Sequence, residues 1–240
     1  MPELEVGARE ALAERFVRIF EGAAREAIAA RGRFACVVPG GSVAEAFFPH
    51  LVHAALDWPR MHVFFGDERA VPLEHPDSNA GLARRLWLDR VPLAPAHLHL
   101  LYRPGETLED AAARAARDLV ATLGSPPRLD LALLGMGPDG HVCSLFPGHP
   151  ALHAPGLVLA VRDSPKPPPE RVTLGLAALS EATEICVAAF GAEKAAALRE
   201  AVEVPASELP VALALRSGPR VRLLLDPAAA GRLASQRRSA

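Results

Sequence analysis

The chain has 240 residues, half of them hydrophobic and 22% charged, with a formal net charge of −2 at neutral pH. That length supports a sizeable core, expected as one large α/β domain over residues 1–240, and the balance is that of an ordinary globular protein rather than a disordered or polybasic one. Nucleic acid gains no electrostatic support as a partner, and no apolar run approaches the about 20 residues that cross a bilayer.

The amino terminus, MPELEVGAREALAERF, is acidic and amphipathic, unlike a signal peptide, so a cytoplasmic location is expected. Over residues 3–30, Leu4, Ala8, Leu12, Phe16, Ile19 and Phe20 recur near helical spacing, which predicts an opening amphipathic helix. FACVV (34–38) reads as a strand, stopped by PGGS (39–42) and followed by the helix-like VAEAFFPHL. MHVFF (61–65) is the next strand; a polar loop with GDER (66–69) and HPDSNAG (75–81) leads to a helix around 80–88. A strand at 97–101, a helix over 108–123 and the strand LDLALLG (129–135) follow, then a glycine-rich loop and a short helix. Further strands are predicted at 156–161, 171–176, 184–190, 211–215 and 221–226, with a helix over 193–202 before the last pair. Strands alternating with helices predict a mainly parallel, Rossmann-like sheet with helices on both faces. Pro165, Pro167, Pro168 and Pro169 make a stiff connector around Lys166 within the domain, and the tail ASQRRSA is expected to fray.

In open α/β sheets ligands gather beyond the carboxyl ends of the strands, and four unusual loops fall there. In PGGS, the backbone of Gly40 and Gly41, with Ser42, could hold an anion at a helix start, although a glycine pair between strand and helix is also an ordinary turn. The segment is neither GxGxxG nor GxxxxGK[ST], so a dinucleotide fold or nucleotide triphosphatase loses its main support. Arg69 offers a planar fork for phosphate oxygens, and one of the two acids beside it, Asp67 or Glu68, could orient it, although a solvated loop explains GDER on composition alone. Asn79 lies in a segment that supplies hydrogen-bonding groups and a helix cap. Prolines on both sides of Lys166 reduce the entropy lost when its ammonium holds an anion, and Arg171 adds a second cation.

The run LLGMGPDGHVCSLFPG (133–148) leaves its strand through three glycines and presents Asp139 and His141. An imidazole suits a general base at neutral pH, and Asp139 could orient the ring or a water. A metal is disfavoured: the nine histidines are scattered, and His97 and His99 would share one strand face without a third ligand. The three cysteines, Cys36, Cys143 and Cys186, read as reduced thiols. Cys143 is placed at a helix start with no activating partner nearby. Together these residues imply a metal-free hydrolase or isomerase acting on a small phosphorylated metabolite, with no cofactor.

At these same residues the chain resembles the 6-phosphogluconolactonases. VVPGGS, FFGDERAVP with DSN after it, LDLALLGMGPDGHVCSLFPG and SPKPPPERVTL are similar to that family's signature segments, in order, over residues 37–174. The resemblance implies hydrolysis of 6-phospho-D-glucono-1,5-lactone to 6-phosphogluconate, a step of the oxidative pentose phosphate pathway, without a cofactor. It implies His141 as base with Asp139 beside it. Arg69 and Lys166 would hold the 6-phosphate with Gly41 and Ser42, and Asp67, Asn79, Arg171 and Gly40 would complete the pocket. Val43 departs from the family's usual threonine, so one hydroxyl contact is expected to be missing. Glucosamine-6-phosphate deaminase shares the implied fold, but GDER and SLFPG stand where its relatives carry other segments. A non-catalytic sugar-phosphate sensor is the other alternative. No membrane, nucleic acid or obligate protein partner is expected.

Overall fold

A computed structural model describes residues 2–234. In chain order its elements are β1 (Glu3–Val6), α1 (Arg9–Arg31), β2 (Phe34–Val38), α2 (Gly41–Leu51), β3 (Met61–Phe65), β4 (Asp67–Arg69), α3 (Asn79–Leu86), β5 (Leu98–His99) and α4 (Leu108–Leu123). Then come β6 (Leu129–Gly135), β7 (Val158–Val161), β8 (Arg171–Leu174), α5 (Leu176–Leu179), β9 (Ala182–Ala189), α6 (Ala195–Glu203), α7 (Pro210–Ser217), β10 (Arg220–Leu225) and α8 (Pro227–Ala230). Seven strands form a parallel sheet in the order β1-β10-β9-β6-β2-β3-β5, and β4-β8-β7 form a small antiparallel sheet.

Every residue of β2 and all but the last of β6 are buried. Successive side chains on a strand point to opposite faces, so both faces of the central sheet are covered, as the continuous apolar runs predicted. On one face α1 packs its stripe of Leu12, Phe16, Ile19 and Phe20 inward, with Phe16 stacked on Phe47 of α2 at 5.1 Å between ring centres. Burying one such large side chain contributes about 1.5–3 kcal/mol. Gly32 ends α1 in the left-handed region and donates to the Ile28 carbonyl at 2.8 Å. Thr107 caps α4 by accepting from the Asp110 amide, and the predicted span 108–123 is the observed one.

Five expectations need correction. Residues 3–6 are an edge strand paired with β10, not the first turn of α1, because Leu4 and Val6 alternate over only four residues. Residues 211–215, predicted as a strand, lie in α7: Pro210 sets the first helical position, and an apolar run of five has no period to distinguish the two. The strand predicted at 97–101 shortens to β5, with His97 closing a 3₁₀ turn (Pro95–His97). No helix starts at Cys143; the short helix after the glycine loop is a single 3₁₀ turn at Pro150–His153. Cys143 has φ +52° in a turn between Val142 and Leu145, which is pinned because the Ser144 amide donates to Thr173 Oγ1 and its hydroxyl to Asp67. GDER is also more than a loop, since β4 pairs antiparallel with β8. Of the tail expected to fray, all but Ala234 lies outside the described residues.

From β2 the chain runs outward through β3 to β5, then returns to set β6 on the other side of β2. The connections leaving β2 and β6 therefore diverge, which opens a crevice at their carboxyl ends.

Candidate active site

That crevice is a cleft of about 250 Å³. Its walls include Gly40, Gly41, Ser42 and Val43 after β2, Asp67 and Arg69 of β4, Asn79 of α3, Gly137 and His141 after β6, Arg171 of β8 and Lys194 after β9. Every residue singled out from the sequence borders it except Asp139 and Lys166, which stand behind His141.

The Asp139 carboxylate and the imidazole of His141 are 2.6 Å apart at Nδ1. An ionised carboxylate only accepts, so Nδ1–H is the donor and Nε2 keeps its lone pair. Nε2 has no hydrogen-bond partner among the described residues. Burial pulls the His141 pKa below its ordinary value against the upward pull of Asp139, and the nearby Lys166 ammonium adds to the fall. Burial alone would raise Asp139, but the hydrogen bond from His141 and the charge of Lys166 outweigh it and hold its pKa low. The pair is thus a neutral, oriented imidazole at neutral pH. The glycine before it is a steric requirement: a Cβ on Gly137 would lie 2.1 Å from the His141 ring.

The opposite wall suits an anion. Gly40 precedes α2 without a side-chain cap, and the first-turn N–H groups of a helix lack intrahelical acceptors. A side chain at Gly40 would have to displace Asn79, because a Cβ there would fall 1.8 Å from the Asn79 amide oxygen. Arg69 donates from NH1 to the Asp77 carbonyl at 2.7 Å, while its buried Nε has no partner. Val43 supplies no hydroxyl and packs on Gly135 instead.

Two acids in GDER separate by task. Glu68 is buried and caps α3, accepting from the amides of Asn79 and Ala80, each at 2.8 Å. Burial nevertheless raises its pKa. Asp67 accepts from Ser144 Oγ at 2.6 Å and from Asn79 Nδ2 at 3.1 Å, and lies 3.6 Å from Arg171. Cys143 also borders the cleft, but burial pushes its thiol well up, so it is no thiolate nucleophile.

Lys194 was missed from the sequence. Its residue is 9% exposed, burial pulls its pKa down, and its ammonium has no hydrogen-bonded or ion-paired acceptor among the described residues. The signal was present: FGAEK is a glycine and a cation at a strand end, as in GDER. Among the described residues no three His, Cys, Asp or Glu side chains are grouped to hold a metal ion, and no helix is long and apolar enough to cross a membrane.

Comparison with known proteins agrees with this layout. Residues 7–223 match the family model described as glucosamine-6-phosphate isomerases/6-phosphogluconolactonase. An Oryza sativa protein named Probable 6-phosphogluconolactonase 3, chloroplastic, is 37% identical over 209 residues, 81% of this chain but 63% of the rice protein's length. The Rattus norvegicus 6-phosphogluconolactonase is 40% identical over 208 residues, covering 83% of this chain and 80% of the rat protein. Among solved structures, the 6-phosphogluconolactonase of Trypanosoma brucei superposes with a TM-score of 0.79 at 27% identity, covering 98% of this chain and 99% of that one. A monomeric glucosamine-6-phosphate deaminase reaches a TM-score of 0.80 at 22% identity, covering 96% and 99%, which is a likeness of fold alone.

Proposed function

We propose that this chain, which belongs to the glucosamine-6-phosphate isomerase/6-phosphogluconolactonase family, hydrolyses 6-phospho-D-glucono-1,5-lactone to 6-phosphogluconate. The observation that carries the reading is the Asp139–His141 pair, with a free Nε2, in the wall of a cleft that is also lined by Arg69, by Lys194 and by the start of α2.

In the proposed step the 6-phosphate is held by Arg69 and Lys194 and by N–H groups around Gly41 and Ser42, while Asp67, Asn79 and Arg171 keep that wall in shape. His141 Nε2 takes a proton from a water as its oxygen bonds to C1 of the lactone. The carbonyl becomes an oxyanion facing backbone N–H groups of the loops. On collapse the bond from C1 to the ring oxygen breaks, and the proton carried by His141 passes to that oxygen, leaving a carboxylic acid that ionises and a free hydroxyl. General-base catalysis contributes about 10²–10⁴ in rate, and oxyanion donors a comparable factor. The step draws on side chains and water, with no metal or cofactor. A cytoplasmic location, action without a macromolecular partner and a single domain belong to the same proposal, although the rice relative is named as chloroplastic.

Lactone generated in situ, with 6-phosphogluconate trapped by its dehydrogenase, tests the reading when ammonia release from glucosamine 6-phosphate is followed in parallel. Product formation well above the spontaneous rate is expected. Ammonia alone would select deamination, and sugar-phosphate binding with neither product would select a sensor.

A further inference from the structure

Arg171 is buried at 3% exposure, and each of its nitrogens is committed to protein. Nε donates to the Pro168 carbonyl at 3.0 Å, and NH2 donates to the carbonyls of Lys166 and Pro167 at 3.0 and 3.3 Å. NH1 lies 3.4 Å from Ser144 Oγ and 3.6 Å from Asp67 Oδ2, and the guanidinium stands over the Phe146 ring. From the other side Ser164 Oγ donates to the Lys166 carbonyl and accepts from its amide. The proline loop is therefore fastened at the backbone of Lys166 itself. Its ammonium ends 3.6 Å from Asp139 Oδ1 and 3.3 Å from His141 Nδ1, and Lys166 is absent from the cleft's walls.

We infer that Arg171 and Lys166 form one positioning device for the base, in which Arg171 fixes the proline loop and the Lys166 ammonium bears on the Asp139–His141 pair rather than gripping the phosphate. This rests on the reading of His141 as base. Nδ1–H donates to Asp139, so Lys166 cannot also donate to Nδ1. It shares the carboxylate and sets a positive charge beside the ring. Groups facing His141 are then Asp139 on its own loop, Lys166 on the proline loop, Asp67 on β4 and, at 4.7 Å between ring centres, Phe146. The added cation opposes the imidazolium, and Asp139 holds the tautomer with Nε2 unprotonated. Arg171, expected from the sequence as a pocket cation, serves as a strut.

The test is an NMR titration of the His141 ring in the full chain, assigned against His141→Gln, for wild type, Lys166→Met and Arg171→Lys, with kinetics alongside. Lys166→Met should raise the His141 pKa by about one pH unit and move the acid limb of kcat equally. KM and inhibition by inorganic phosphate should stay within about twofold. Arg171→Lys should shift the titration the same way by less, and add little to Lys166→Met. An unmoved His141 titration, with KM and the phosphate inhibition constant rising about tenfold, would assign Lys166 to the phosphate and overturn the inference. Lys166 is partly exposed, so its variant decides the matter even if Arg171→Lys fails to fold. A wild type that titrates as expected without hydrolysing the lactone would sink the functional reading alone.

Discussion

Two aspartate–histidine pairs flank the same sheet and differ in what surrounds the second ring nitrogen. At the carboxyl ends of the strands, Asp139 holds His141 at 2.6 Å. On the edge strands, Asp118 of α4 holds His99 of β5 at 2.8 Å. The hydrogen bonds are alike; the far nitrogens are not. His99 Nε2 is occupied, accepting from His62 Nδ1 at 3.0 Å, and its ring is stacked on Phe64. His141 Nε2 is free, and its residue borders a cleft. A carboxylate orients an imidazole in both places, but only an unoccupied second nitrogen with room beside it can act as a base.

The comparison breaks most sharply on removing the rings. His141→Ala should lower kcat by about 10²–10⁴ with the fold intact, because it removes the proposed base. His99→Ala should leave kcat near wild type and lower the melting temperature instead. Gly137→Ala sharpens the point without touching the imidazole itself, since the new methyl must displace the ring; kcat should fall by about 10²-fold with unchanged stability. On the anion wall, Lys194→Ala should raise KM about tenfold and leave kcat nearly unchanged, as befits a charged contact held throughout the reaction.

The smallest effect lies on the edge pair. Burial, followed by the neighbouring His97, His99 and Arg33, pulls the His62 pKa down to about 4, with Asp118 opposing. The unfolded chain, with the ordinary value near 6.5, binds the proton more readily. His62 therefore stabilises the fold fully only above about pH 6.5, and that contribution is lost as pH falls through about 4. Urea midpoints should decline across this window, and His62→Gln should flatten the decline without changing KM.

The parallel sheet and its loops were legible because continuous apolar strands and long amphipathic helices carry their period over many residues. Edge strand β1, the short β5 and α7 were not, since four or five residues hold no decisive period. At the site, Asp139 and His141 are neighbours in sequence, so their pairing could be read directly. Lys194 carried a local signal, a glycine and a cation at a strand end, but its place in the cleft depends on how β9 lies in the sheet; Arg171 reaches carbonyls only three to five residues back, a side-chain direction that residue types alone do not record. Glu68 shows the limit of a motif: it stands beside Asp67 in GDER, yet its burial under α3 makes it a cap.

The most direct measurement is the kcat of His141→Ala in the trapping assay between about pH 5 and 8, with and without added imidazole. The account predicts a loss of at least about 10²-fold, partly restored by imidazole in its neutral form and suppressed again by inorganic phosphate. Turnover equal to that of the wild type would contradict it and remove His141 from the chemistry.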